Sequence, residues 1–344
     1  MFRYAFKRVA RSYRLFVALT IGVLLATTFF AATNVAADVL SRDALNASVN
    51  QHLFDFAVES TSSNWTASDI QNLQTSILEI DGVTNVTHSS QFTFEFNNTN
   101  VNMTLAAINM SSPLTTGMQL ISGHQPLGPN ETYIVRGSAN ESLFSLGQVV
   151  DVEITVSSLP FPTIIHRNLT VAGLVSLPQT TRSSIFQRRQ FSIFDLLTGG
   201  GGAGAIALFG SSSYNLMLAD WSQFADSVLQ EASEVPYHNH VSVRNVIQIR
   251  IDRSRYLDPY DIGASLTRLT ALQNTISIRA TSYDGTVISN LQTPLSTYQF
   301  TQLGMNLQFI SISLPVFLLA YFSGTMVSDV GYNFRRREIG LLLT

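Results

Sequence analysis

The sequence predicts an α+β membrane protein: two transmembrane helices flank an extracytoplasmic domain built from a split β-α-β pair with a β-rich insertion. Three observations predict it. Leu15–Ala37 and Phe309–Val327 are long runs without a charged residue, each flanked on its terminal side by arginines. The stretch between them is acidic and rich in Asn-x-Ser/Thr sequons. Within that stretch, two strand–helix–strand patterns lie far apart in the chain.

The 344 residues exceed one compact domain. Charged residues make up 12% of the chain, against roughly 25% in ordinary soluble proteins. There is no cysteine. Disulfide frameworks, zinc–thiolate sites and cysteine nucleophiles are thereby excluded. The formal net charge of −3 is unevenly spread. Arg3, Lys7, Arg8, Arg11 and Arg14 crowd the first fourteen residues, and Arg335, Arg336 and Arg337 the last ten. Between Asp38 and Gln302 there are 12 Arg against 21 Asp or Glu, a net of −9. Nucleic-acid binding would need a basic face on the folded part, so this distribution argues against it.

Residues 1–14 read as a cytoplasmic amphipathic segment, with Phe2, Phe6, Val9 and Tyr13 on one side of a helix. A plain basic flank that sets topology explains the same residues equally well. Residues 15–37 form the first expected span, long enough to cross a hydrocarbon core. The rival reading is a cleaved signal peptide, whose apolar core is usually about 7–15 residues. Both readings put residues 38–302 outside. Residues 303–330 form the second expected span, and Arg335–Arg337 mark its cytoplasmic side. The expected protein therefore sits in the cell membrane as a multi-pass protein with both termini cytoplasmic, and membrane lipid is a partner. The sequons at Asn46, Asn64, Asn85, Asn97, Asn102, Asn109, Asn130, Asn140 and Asn168 all fall in the outer region. They are glycosylation acceptors where the compartment glycosylates, although a Ser-, Thr- and Asn-rich stretch generates sequons by chance.

Asp38–Asn50 reads as a helical stalk continuing the first span. Phe54–Ser60 alternates as a strand. Ala67–Glu79 places Ile70, Leu73, Ile77 and Leu78 at helical spacing, with Ser68 as the expected N-cap. Asp81-Gly82 supplies a turn, and Thr84–Phe96 a strand with Phe92, Phe94 and Phe96 on one face. Far downstream come a strand over Val241–Ile251, a helix over Asp261–Gln273 and a strand over Thr275–Thr281. Two such halves suggest one ferredoxin-like subdomain with a long insertion.

The insertion is expected over residues 101–230, a β-rich subdomain. Its short β-type segments are Tyr133–Arg136, Val149–Val156, Asn168–Ser176, Ala205–Phe209 and Tyr214–Leu218. Turns at Pro126, Gly128, Pro160, Pro162 and Pro178 separate them. A helix over Asp220–Ala232 sets Trp221, Phe224, Val228 and Leu229 on one face. Thr293-Pro294 reads as an N-cap followed by proline at the first helical position, opening a second stalk; a plain loop is the alternative.

No catalytic constellation emerges. Gly199–Gly204 lacks the Lys-Ser/Thr of a phosphate loop and reads as a flexible connection. Gly210–Ser213 is not a nucleophile elbow. His238 and His240 are close-spaced, but a surface loop is the better reading. Asp151 and Glu153 share one face of an edge-like strand with no base in local sequence. No catalytic, cofactor or metal residue is assigned.

The end of the chain, Arg335-Arg336-Arg337-Glu338-Ile339-Gly340-Leu341-Leu342, resembles the basic R-R-x-E-I-G-x-L segment of FtsX-like permeases. The outer region agrees in order. Ile80–Val83, Ser122–His124, Asn130–Val135, Leu146–Val150 and Ala172–Val175 resemble the extracytoplasmic, MacB-like periplasmic core domain of that family. No single motif is specific; the ordered set with two spans is more so. The resemblance implies an ABC transporter permease subunit that couples cytoplasmic ATP hydrolysis to movement of the outer domain, a mechanotransmission role. Its implied partners are a cytoplasmic ABC ATPase, which binds the ATP, and a second copy or a related permease. Arg335, Arg336, Arg337, Glu338, Ile339 and Gly340 would contact the ATPase; positive-inside arginines are the simpler explanation of the three basic residues. Family members carry further membrane helices, so the chain is expected to be part of a larger permease, residues 331–344 beginning its coupling segment. The competing function is a two-span extracytoplasmic sensor; a membrane-anchored hydrolase lacks a nucleophile signature.

Overall fold

The computed structural model describes residues 13–50, 52–60, 65–96, 102–138, 141–158, 161–185, 215–235, 238–259, 261–300 and scattered positions from 303 to 332. The chain divides into two units, residues 1–47 with 296–344, and residues 48–295.

In the first unit, helix α1 begins, running unbroken over Tyr13–Asn50. Its 38 residues correspond to roughly 57 Å of helix. Ile21, Leu24, Phe30, Val35, Val39 and Leu40 along it are exposed, while Leu45 and Val49 near its end are buried. An Asp38–Arg42 ion pair one turn apart, at 3.0 Å, sits beyond the apolar run. Among the described residues no helix is long and apolar enough to cross a membrane. Many residues of the second expected span lie outside that set, as do many side chains of the first.

The second unit is organised by one sheet. Its elements in chain order are β1 (Phe56–Ser60), α2 (Ala67–Leu78), β2 (Val83–Glu95), β3 (Asn102–Ile108), β4 (Gln119–Gly123) and β5 (Glu131–Val135). There follow β6 (Val149–Ser158), β7 (Thr163–Ser176), α3 (Gln179–Ile185), β8 (Leu216–Asp220) and α4 (Asp226–Glu234). The unit closes with β9 (His238–Val241), β10 (Val243–Ile251), α5 (Arg253–Tyr256), α6 (Ile262–Thr281) and β11 (Gly285–Ser289). The sheet order is β11-β1-β10-β2-β3-β8-β5-β7-β6-β9, with β4 on β7. The first four strands, antiparallel throughout, are two interleaved β-α-β halves. The insertion extends the same sheet. β3 continues β2 as an antiparallel neighbour, then pairs in parallel with β8.

Helix α2 starts one residue after Thr66, whose hydroxyl accepts from Asp69 N while Thr66 N donates to Asp69 Oδ2. This capping box places the N-cap at Thr66, not at the expected Ser68. Ile70, Leu73 and Ile77 are buried on the sheet side, as their spacing requires, whereas Leu78, expected on the same face, is exposed. The expected strand over Thr275–Thr281 is instead the last two turns of α6. Leu269, Leu272, Ile276 and Ala280 continue one buried helical stripe, while Ile278 is 73% exposed. The strand comes after the turn at Asp284 (φ 52°), as β11. The last helix starts at 292, so Pro294 occupies its first turn and Thr293 is not the N-cap. Proline is tolerated there because first-turn N–H groups lack intrahelical acceptors.

In the insertion, β4 pairs antiparallel with β7, with a bulge between Leu120 and Ser122. Gly123 lies opposite Gly173. A Cβ on Gly123, at φ +100°, would stand 2.0 Å from the Ala172 carbonyl oxygen, and one on Gly173 2.5 Å from that of Ser122. Trp221 and Phe224 are set inward by a π-helical turn over Trp221–Ala225, capped by Asp220, that precedes α4. Trp221 donates to Ser90 Oγ at 2.9 Å and meets His88 edge-on at 4.3 Å.

Candidate functional site

The points where the chain enters and leaves the second unit are adjacent in the fold. Asp55, at the mouth of β1, is a lone carboxylate in the apolar run Leu53–Val58 and is fully buried. Each of its polar groups has a partner. Its N–H donates to Ile249 O at 2.8 Å, and its carbonyl accepts from Asn290 N at 2.9 Å. Its carboxylate accepts from Ile251 N and from Arg253 Nε, both at 2.8 Å. Asn290 Nδ2 adds a bond to Phe54 O at 3.0 Å.

Arg253 reaches this point because β10 ends two residues earlier, at Ile251. Asp252 caps the short turn α5 by accepting from Ser254 N, which turns Arg253 back across β1. The guanidinium then spends its remaining donors on the incoming chain, to His52 O at 2.7 Å and Asn50 Oδ1 at 3.2 Å. Three segments are thus fastened at one point: the end of α1 with its exit, the β10–α5 corner, and the residue after β11. Phe54, fully buried, belongs to one apolar cluster with Ile108, Leu114, Tyr133, Val175 and Leu218, which fills the inserted lobe.

The electrostatics follow from burial. Burial pushes the Asp55 carboxyl above its usual range, while the Arg253 charge and the Ile251 N–H pull it back down. Burial likewise lowers His52, with the nearby Arg253 charge acting the same way. Arg253 keeps an ionised Asp55 tolerable, and removing one partner of such a pair leaves an uncompensated charge. A second fastening lies outside it. Arg255 grips Asp81 through two bonds of 2.6 Å, and Tyr256 Oη donates to Asp81 O at 3.0 Å. Hydrogen bonding from Arg255 holds the exposed Asp81 carboxyl below its usual range.

Arg335, Arg336, Arg337, Glu338, Ile339 and Gly340 lie outside the described residues, as do Asn64, Asn97 and Asn140. Asn46, Asn102, Asn109, Asn130 and Asn168 are exposed, and Asn85 is half-buried. Asp151 and Glu153 do share an outward face of β6, but a base stands across the ladder: His166 of β7 pairs with Glu153. Local sequence held no hint of this because the two strands' register is not written in either alone. Asp55 was detectable as the single acid in its apolar run; its partner lies 198 residues away.

No protein-family model matches the chain, and no curated protein sequence matches it. Among solved structures, the fold is similar to the periplasmic region of MacB from Actinobacillus actinomycetemcomitans, at 10% identity and TM-score 0.34, over 70% of this chain and 92% of that one. It is also similar to the extracellular domain of the noncanonic ABC-type transporter YknZ from Gram-positive bacteria, at 14% identity and TM-score 0.32, over 68% of this chain and all of that one. A domain of a proposed permease from Porphyromonas gingivalis is similar at 14% identity and TM-score 0.28, over 64% and 84% of the two chains.

Proposed function

We propose that this chain is the membrane subunit of an ABC-type permease or mechanotransmission complex, a mechanical rather than a catalytic component. The observation that carries the reading is the knot at Asp55. α1 is unbroken to Asn50, and Arg253 binds both Asn50 and the carbonyl two residues beyond it. Asn290, two residues before the helix that starts at 292, bonds the backbone of Asp55 and Phe54. A displacement delivered along either connection acts at once on β1, β10 and β11. A flexible tether would not need a buried, fully partnered ion pair at its root.

In this reading residues 15–37 and 303–330 span the membrane, because both contain long uncharged runs and the arginines lie on one side. The ferredoxin-like block and its insertion lie outside. Arg335–Gly340 meet a cytoplasmic ATPase, and the permease works with a second copy or a related subunit. The test is copurification of the chain with a cytoplasmic ABC ATPase subunit from the same cells. Changing Arg335, Arg336 and Arg337 together to alanine should abolish the association. Association that persists unchanged would refute the contact assignment.

A further inference from the structure

We propose that Asp151, Glu153 and His166 form a binding site for one divalent transition cation of the Zn2+ type on the outward face of the β6–β7 pair. In the ladder Glu153 lies directly across from His166, and Asp151 across from Asn168. Asp151 and Glu153 are two residues apart on one strand and so point to the same face. Their neighbours Val150, Val152 and Ile154 fill the core on the other side. One ligand atom from each of Asp151, Glu153 and His166 can be taken so that all three lie within 4.8 Å of one another. Directly opposed and diagonal positions on an antiparallel pair are the ones whose side chains meet.

The plainer explanation is a surface ion pair, since His166 Nδ1 stands 3.2 Å from Asp151 Oδ2. Two facts exceed it. The other oxygen, Asp151 Oδ1, is shielded from solvent and has no hydrogen-bond partner. A shielded acceptor left bare is costly, and such a group calls for a donor or a cation. Glu153 then adds a second carboxylate to the same face. The nearest arginine in sequence, Arg167, pairs in register with the inward Val152 and is engaged with Glu231. A divalent ion would balance the two carboxylates and occupy the bare oxygen.

The donor set selects among cations. An imidazole nitrogen with two carboxylates suits zinc and its first-row neighbours; Mg2+ and Ca2+ prefer all-oxygen shells, and Cu(I) prefers sulfur. Three protein donors leave a position for water. The bound ion would staple the β6–β7 hairpin.

The test is equilibrium dialysis of the untagged full-length chain against Zn2+, with metal analysis. One Zn2+ per chain is expected, not displaced by excess Mg2+. Asp151→Asn and His166→Gln should each weaken binding roughly tenfold or more. His124→Gln and the double change His238→Gln with His240→Gln should leave it intact. An independent reading needs no variant: Zn2+ should slow amide exchange in β6 and β7 of the native chain. Absence of stoichiometric zinc, binding insensitive to Asp151→Asn and His166→Gln, or protection confined to other strands would each overturn the site.

Discussion

Arg253→Met is the most informative single change in the second unit. Methionine keeps most of the side-chain volume and removes the charge with all three fastenings: Nε to Asp55, Nη2 to His52 O and Nη1 to Asn50. Breaking a buried pair from one side costs about 3–5 kcal/mol. Arg253 is 21% exposed, so water partly relieves the loss, and we expect about 3 kcal/mol, the low end of that range. Asp55→Asn keeps an acceptor oxygen for one of the two donors, Ile251 N and Arg253 Nε, and sets an NH2 group against the other, and it should cost about 1–3 kcal/mol. The double variant should fall short of the sum by about 1–2 kcal/mol, because the groups share one network. The pH dependence has a definite sign. Burial already holds Asp55 above its usual range and Arg253 pulls it down. Without Arg253 the folded-state value rises further, so the Arg253→Met deficit is full above that value. It closes as pH falls toward the unfolded carboxylate range. The assay is denaturant unfolding of the full-length chain in detergent at several pH values, with amide exchange at Asp55 and Ile251. A deficit under about 0.5 kcal/mol, the ordinary scatter of surface changes, with unchanged exchange there, would refute the knot.

Other outcomes follow from the packing. Burial pushes His88 down to about 4 from 6.5, so it is neutral in the fold, with Nδ1 bonded to Gln74 Oε1 at 2.7 Å. A depressed histidine contributes fully above the unfolded value, and its contribution is lost as pH falls from 6.5 to about 4. The total loss is about 3 kcal/mol. His88→Gln should flatten the slope of unfolding free energy across that window; an unchanged slope would count against it. Gly123→Ala should destabilise by about 3 kcal/mol or more, since the added carbon meets backbone at a positive φ, read by thermal or denaturant unfolding. Ile276→Ala should cost about 2–5 kcal/mol, and Ile278→Ala less than about 0.5 kcal/mol. Equal losses would mean that 275–281 is not helical.

Local pattern carried the elements whose burial is local. Ile70, Leu73 and Ile77 announced α2, and Trp221, Phe224, Val228 and Leu229 announced the face of α4. Pattern misled where two periods coincide. Ile276 and Ile278 alternate as in a strand, but only Ile276 belongs to the stripe set by Leu269 and Leu272. The N-cap shifted from Ser68 to Thr66 because Asp69 stands three residues after Thr66 and closes the capping box. What stayed illegible is nonlocal. The parallel pairing of β3 with β8 joins residues more than a hundred positions apart. Asp55 and Arg253 likewise meet only through the sheet, as do Glu153 and His166.

The strand order has a consequence for how this molecule is made. β1 pairs only with β10 and β11, so Phe56 waits for Ile249, nearly two hundred residues later in synthesis. Closing so long a loop early is entropically unfavourable, and such pairings slow folding. β2 and β3, by contrast, can zip as a hairpin as soon as they emerge. The inserted lobe therefore has every opportunity to form first, while β1 waits with both edges bare and open to mispairing. Folding should show an early phase reported by Trp221 and a late phase reported by Trp65, whose ring N–H donates to the carbonyl of Tyr283 just ahead of β11.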